Sequence, residues 1–257
     1  MPSKFALRDL ADWLTGLTGW SRRLAALLAG AISVLALAPF FVSPVLWITL
    51  PALVWLLDGA IADDKARARQ RWFKRPAWSA AAVGWWWGFG YFLAGLFWIG
   101  EAFLVEAGRF AVLMPFAVLL LPAGLAIFHA AAAAAAARFW HTGTYRVLAL
   151  ALSLAATEWL RGHVLSGFPW NILGYALTYP LPLMQSAAAV GIYGLTLLAV
   201  LVFTLPLVLW RDAPMAKVKV VAVAIATMPL LILGLLGQMR LSTATSDPAP
   251  MAMPTSA

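Results

Sequence analysis

Residues 158–175 read Glu-Trp-Leu-Arg-Gly-His-Val-Leu-Ser-Gly-Phe-Pro-Trp-Asn-Ile-Leu-Gly-Tyr, and they interrupt a series of long apolar runs. The stretch places Glu158, Arg161 and His163 within six residues, and its Gly-Phe-Pro-Trp step is unsuited to continuing a helix. At the edge of a bilayer, charged side chains and backbone polar groups outside regular secondary structure need protein or water around them. We therefore expect the apolar runs to form a scaffold around this stretch.

The composition is that of a membrane protein. The chain has 257 residues, of which 63% are hydrophobic and 11% are charged, whereas soluble domains are about half apolar and about a quarter charged. Apolar runs of about 18 or more residues recur along it. These features predict an all-α fold, a polytopic transmembrane helix bundle.

The residue types present limit the chemistry of the chain. It contains no cysteine, which excludes disulfides, thiolate metal sites and a thiol nucleophile within it. Its three histidines, His129, His141 and His163, are too scattered to indicate a metal site, and we predict neither a metal nor a cofactor. The net charge is +8, but the basic residues flank apolar runs instead of forming a nucleic-acid-binding patch. Nucleic acid is therefore not a predicted partner.

The chain divides into a lead at residues 1–23, a transmembrane domain at residues 24–237 and a disordered tail at residues 238–257, rich in Ser, Thr, Ala and Pro. Seven apolar runs are predicted to span the membrane, at residues 24–38, 44–57, 78–99, 110–137, 147–159, 183–210 and 220–237. Residues 58–77 are predicted to be a soluble basic loop and residues 100–109 a polar loop. Residues 164–185 contain three prolines and read as a re-entrant or surface-lying segment.

The distribution of basic residues predicts the orientation. If the N-terminus is cytoplasmic and seven spans alternate, fifteen Lys and Arg residues lie in cytoplasmic segments and three lie outside. This is the bias of the positive-inside rule. We predict an N-in, C-out topology with a periplasmic tail, and residues 158–175 then face the outer compartment.

Two interpretations of the opening stretch are open. Glu158 and Arg161 are three residues apart on a helix, so they can form an ion pair, or Arg161 can recognise the phosphate of a lipid headgroup. Phe168, Trp170 and Tyr175 can be interfacial anchors or walls of a slot for acyl chains.

Several short motifs are similar to those of a known family. They are Glu158-Trp-Leu-Arg161, Gly167-Phe-Pro-Trp170, Gly174-Tyr175, the glycine- and aromatic-rich residues 88–99, and Gly191-Ile-Tyr-Gly-Leu195. Together they resemble the signature of the bacterial apolipoprotein N-acyltransferase family, over roughly residues 24–237.

The resemblance implies a multi-pass enzyme of the bacterial inner (plasma) membrane, which moves an acyl chain from a phospholipid to the N-terminal cysteine of a diacylated lipoprotein. It implies ping-pong chemistry through a thioester on a cysteine. That cysteine belongs to a Glu-Lys-Cys triad in a periplasmic nitrilase-like domain that follows the membrane part.

This sequence departs from the family pattern after residue 237. About twenty residues remain there, without Cys or Lys, so no catalytic residue is carried over. The resemblance transfers only candidates for shaping lipid and substrate entry, namely Trp98, Glu158, Arg161, Phe168, Pro169, Trp170 and Tyr175. We expect a truncated membrane portion that is inactive alone. The alternatives are a lipid- or lipoprotein-binding membrane protein without catalysis, and a small transporter.

Overall fold

The computed structural model describes residues 7–70, 78–164, 167–212 and 216–245. Every regular element within these residues is helical, as predicted. The α-helices are α1 Leu7–Gly16, α2 Gly19–Ser33, α3 Leu46–Gln70, α4 Trp78–Gly95, α5 Ala107–Phe110, α6 Met114–Arg138, α7 Thr144–His163, α8 Leu181–Met184, α9 Ala187–Asp212 and α10 Ala216–Thr245. Short 3-10 helices join several of them, including Phe97–Phe103 and Leu173–Leu177.

Three helical stretches in the described residues are long and apolar enough to cross a membrane, namely Ser43–Ala66, Ala107–Arg138 and Ala187–Asp212. A fourth candidate is the pair Trp78–Gly95 and Phe97–Phe103, which is bent by 50°. The all-α membrane class is confirmed, whereas the number of seven spans and their orientation remain predictions. The shorter α2, with 15 residues, covers only about 22 Å, less than the hydrocarbon core of a bilayer.

Two boundaries differ from the sequence-based expectation. The predicted loop at residues 58–77 is helical as far as Gln70, because α3 continues from Leu46 without a break; residues 71–77 lie outside the described part. Helix α10 likewise continues to Thr245, eight residues into the predicted disordered tail. No Gly or Pro follows Gly237 until Pro248, so nothing in the sequence stops the helix earlier. Residues 246–257 lie outside the described part.

Glycines allow α4 to pack closely between α2 and α6. A Cβ placed on Gly30 would lie 1.9 Å from the Trp87 carbonyl oxygen, and one on Gly90 would lie 2.0 Å from that of Leu27. On the other side, a Cβ on Gly84 would lie 2.4 Å from the His129 carbonyl oxygen. These close approaches resemble the small-residue contacts of membrane helices.

A cluster of ion pairs joins one end of the bundle. Asp58 on α3 lies 3.4 Å from Arg146 on α7 and 3.6 Å from Arg211 on α9. Arg146 also contacts Asp212 at 2.6 Å, and Arg211 contacts Asp12 of α1 at 2.7 Å. Four segments that the charge distribution assigns to the cytoplasm therefore meet at the same end of the molecule.

Candidate functional site

Glu158 and Arg161 lie on the last turns of α7, and each side chain is only 1% exposed. Their spacing of three residues places them on the same face of the helix. The predicted ion pair between them is not formed, because among the described residues both side chains take other partners. Those partners belong mainly to residues 167–178, the chain segment that leaves α7; we call it the re-entrant segment because its backbone turns back onto α7, whichever way it lies in a membrane.

Arg161 binds backbone carbonyl groups of the re-entrant segment. Its Nη1 donates hydrogen bonds to the carbonyl oxygens of Phe168 at 2.6 Å and Trp170 at 2.7 Å. Its Nη2 lies 3.5 Å from the carbonyl oxygen of Asn171. The guanidinium also sits over the Phe92 ring, 4.9 Å from the ring centroid. The planar fork of arginine suits several carbonyl acceptors at once, so Arg161 folds the segment back onto α7.

Glu158 holds the next part of the same segment. Its Oε1 accepts a hydrogen bond from the Leu173 backbone N–H at 2.9 Å, and its Oε2 accepts one from the Thr196 hydroxyl at 2.5 Å. Thr196 Oγ1 in turn accepts the Gly174 N–H at 3.0 Å. The carboxylate therefore connects α7, the re-entrant segment and α9 through buried, charge-assisted hydrogen bonds.

The contacts of Arg161 limit what its guanidinium can bind. Its Nη1 binds two backbone carbonyl groups, its Nη2 faces a third, and the side chain is enclosed by protein. A headgroup phosphate in the bilayer therefore does not reach the guanidinium in this arrangement. Glu158 and Arg161 position the segment, while its Trp170 and Tyr175 side chains remain exposed.

A pocket of about 550 Å³ lies beside the re-entrant segment. Its walls come from three separate parts of the sequence, namely residues 34–41 after α2, residues 94–98 at the end of α4, and residues 170–178. Three of the candidates, Trp98, Trp170 and Tyr175, line it, and the rings of Trp98 and Trp170 meet edge to face at 5.9 Å. An apolar, aromatic pocket of this size suits an acyl chain or another apolar group.

The other two candidates lie next to the pocket without lining it. Phe168 is half-buried and packs against the hydrophobic core. Pro169 is exposed, and its carbonyl oxygen accepts a hydrogen bond from the Tyr175 hydroxyl at 3.3 Å. This bond links the two ends of the aromatic turn and orients the Tyr175 ring toward the pocket.

The sequence interpretation missed several residues of this site. Phe41 and Asn171 both have positive φ values, 53° and 50°, which non-glycine residues adopt uncommonly. Phe41 lines the pocket and its ring lies 5.2 Å from that of Tyr179. Asn171 fills the space above Gly95, where a Cβ would lie 1.8 Å from its Nδ2 atom. Residues 40–43 carry no charge, so the sequence gives no signal that they belong to a site.

Thr196 was also missed, because a hydroxyl in the apolar run of α9, which also holds Thr204, is only a weak signal. We expect Thr196→Val to lower the free energy of unfolding by about 1–3 kcal/mol, because a buried carboxylate and a buried N–H each lose a partner. Unfolding midpoints in detergent test this against Thr227→Val, whose hydroxyl bonds only its own helix at the Val223 carbonyl. Equal midpoints for the two variants would contradict the assigned role.

Within the described residues no group of three or more His, Asp or Glu side chains is arranged to hold a metal ion. What the site offers chemically is an apolar, aromatic pocket supported by buried polar contacts.

Comparison with known proteins identifies the family. A family model described as the apolipoprotein N-acyltransferase N-terminal domain matches residues 29–205. Proteins named apolipoprotein N-acyltransferase are 50% identical in Rhodopseudomonas palustris and in Bradyrhizobium diazoefficiens, over 81% and 92% of this chain. One from Brucella suis is 49% identical over 78% of the chain.

The matched part covers 37% of the Rhodopseudomonas and Brucella relatives and 42% of the Bradyrhizobium relative. The chain thus spans about two fifths of the length of these relatives, and the family match lies within its helical, membrane-type region. Both the family match and the level of identity agree with the motifs found in the sequence, and the chain belongs to the apolipoprotein N-acyltransferase family, of which it carries the N-terminal domain.

Proposed function

We propose that this chain is the membrane-embedded portion of a phospholipid-to-lipoprotein N-acyltransferase, and that its pocket holds an acyl chain of a phospholipid. The observation that carries this is the aromatic pocket, which is walled by the re-entrant segment and supported from behind by Glu158 and Arg161. A rigid support keeps Trp98 and Trp170 in place without exposing charge to the apolar ligand.

The role proposed for this chain is positioning, not acyl transfer. Thioester chemistry requires a thiolate, and the sequence contains no cysteine. The partners that we propose are a phospholipid and a diacylated lipoprotein, and the setting is the bacterial inner membrane. A lipid-binding membrane protein without any part in catalysis is the second candidate, favoured by the same absence of cysteine.

We also propose seven spans, N-in and C-out. The ion pairs among Asp12, Asp58, Arg146 and Arg211 support this topology, because they join segments that the alternation assigns to one side. The pocket residues 38–41, 95–98 and 170–178 come from segments assigned to the other side. The pocket is therefore proposed to open toward the periplasmic leaflet.

Photolabelling tests the lipid site. With the purified chain in vesicles that contain a phospholipid bearing a photoreactive acyl chain, we expect cross-links to peptides covering residues 34–41, 94–98 and 170–178. Trp170→Ala is expected to weaken this labelling about tenfold, because loss of one indole contact removes roughly 1–2 kcal/mol of apolar burial. The readout is mass spectrometry of the labelled peptides.

Trp78→Ala is the matched control, since Trp78 is 68% exposed at the opposite end of α4. Its labelling of the pocket peptides should equal that of the unmodified chain. Equal labelling of the Trp170→Ala variant would reject the pocket as the lipid site. Competition by a diacylated lipopeptide would favour the transferase role, whereas competition by phospholipid alone would favour the second candidate.

A further inference from the structure

Residues 97–113, between α4 and α6, expose an unusual amount of apolar surface. We call these residues the arm. The sequence suggested a polar loop at residues 100–109, yet the arm has only three charged residues, Glu101, Glu106 and Arg109. Contiguous exposed apolar surface of this kind marks contact with a membrane or another protein. The large apolar side chains that the arm exposes are Phe97, Trp98, Leu104, Val105, Phe110, Val112 and Leu113.

Helix α6 can cross the bilayer without the arm, whose residues 97–103 and 107–113 continue the candidate spans on either side. Helix α6 has 25 residues and is about 37 Å long, enough to span a hydrocarbon core of about 30 Å alone. The arm precedes the first residue of α6 and turns away from α4 with a bend of 50°. It contains Phe97 and Trp98, which line the pocket at that end of the bundle.

The backbone of the arm is suited to an interface. It consists of short helical turns, with hydrogen bonds such as Leu104 N–H to the Glu101 carbonyl and Phe110 N–H to the Glu106 carbonyl. Because these turns satisfy polar backbone groups internally, the arm can enter an apolar boundary at a lower cost than an irregular loop can.

The contact between Arg109 and Phe110 and the continuity of the arm with α6 favour lipid as the partner. The Arg109 guanidinium lies 5.3 Å from the centroid of the Phe110 ring, so a cation is held beside an exposed apolar group, as at a headgroup boundary. The apolar surface also continues onto the exposed Phe116, Leu119 and Leu120 of α6, a helix in a candidate span. We propose that the arm lies in the boundary between headgroups and acyl chains, with Val105 and Val112 in contact with lipid. This holds whether or not the pocket binds an acyl chain.

Site-directed labelling tests the proposal, because the chain has no cysteine and one introduced thiol is unique. The variants are Val105→Cys and Val112→Cys, at side chains that are 84% and 72% exposed, so that neither substitution disturbs the core. Each carries an environment-sensitive fluorophore in vesicles of phosphatidylethanolamine and phosphatidylglycerol. Quenching is compared between lipids spin-labelled near the headgroup and aqueous iodide. Glu106→Cys is the matched control beside Val105.

We expect the ratio of lipid quenching to iodide quenching at both valine positions to exceed that of the control by about twofold or more, since only apolar positions enter the acyl boundary. A ratio equal to that of Glu106→Cys would place the arm in water and overturn the proposal. Protection from both quenchers would mean that protein covers the arm, and that result would also overturn it. Neither result bears on photolabelling of the pocket, so the two proposals fail separately.

Discussion

Arg161→Ala is expected to lower the free energy of unfolding by about 3–5 kcal/mol, because removal leaves part-buried carbonyl groups without donors and the nearby buried Glu158 without a neighbouring cation. The re-entrant segment should detach from α7, and pocket labelling by the photoreactive phospholipid should fall with it. Unfolding midpoints in detergent and limited proteolysis within residues 167–178 measure the two effects.

Arg161→Lys separates charge from geometry. A lysine keeps the cation but lacks the planar fork whose Nη1 binds the Phe168 and Trp170 carbonyls while Nη2 faces that of Asn171, so we expect an intermediate loss of stability. Arg138→Ala is the matched control, because Arg138 is exposed at the end of α6 and its loss should change stability by less than about 0.5 kcal/mol. An Arg161→Ala variant as stable as Arg138→Ala would show that the segment holds its position without the guanidinium.

Gly30→Ala is expected to be among the most damaging substitutions that add a single methyl group. The new Cβ would lie 1.9 Å from the Trp87 carbonyl oxygen, a backbone atom that no rotamer change can move aside. Helices α2 and α4 must then separate, which opens the packing around buried Trp87 and Tyr91. We expect a loss of about 3 kcal/mol, toward the upper end of the range for overpacked cores. Chemical unfolding in mixed micelles measures it.

Gly124→Ala is the control for Gly30→Ala and is expected not to lower stability. Gly124 lies inside α6 with no atom within 4 Å of an added Cβ, so the substitution meets open space. Alanine is a better helix former than glycine by about 1 kcal/mol, and we expect this variant to be as stable as the unmodified chain or more so. If the two alanine variants were equally stable, the close crossing of α2 and α4 would not limit stability.

Glu158 and Arg161 show which contacts a local sequence pattern can predict and which it cannot. The spacing of Glu158 and Arg161 correctly predicted that both lie on one face of a helix. It did not predict that each would bind the chain that follows instead of the other side chain, because a bond from Arg161 to Phe168 depends on how the Gly-Phe-Pro-Trp turn folds back. Thr196 could not be connected with Glu158, since 38 residues and an intervening segment separate them.

The pocket could not be assembled from the sequence for a similar reason. The third and sixth apolar runs are apolar on nearly all sides, so their periodicity does not indicate which face packs against which neighbour. Residues 39–41, 95–98 and 171–178 become neighbours only when α2, α4 and the re-entrant segment are packed. Gly95 is an example, because the space beside it is filled by the Asn171 side chain and not by another helix.

The sequence by itself determined that this is a helical membrane protein, that its backbone breaks after α7, and that its motifs are those of the apolipoprotein N-acyltransferase family. These properties follow from composition, from Gly and Pro, and from local residue order, which act over a few positions. The tertiary structure decided that Glu158 and Arg161 are enclosed supports and that Trp98, Trp170 and Tyr175 share a pocket with Phe41. Those facts depend on contacts between distant residues, and only the packing of the helices brings such residues together.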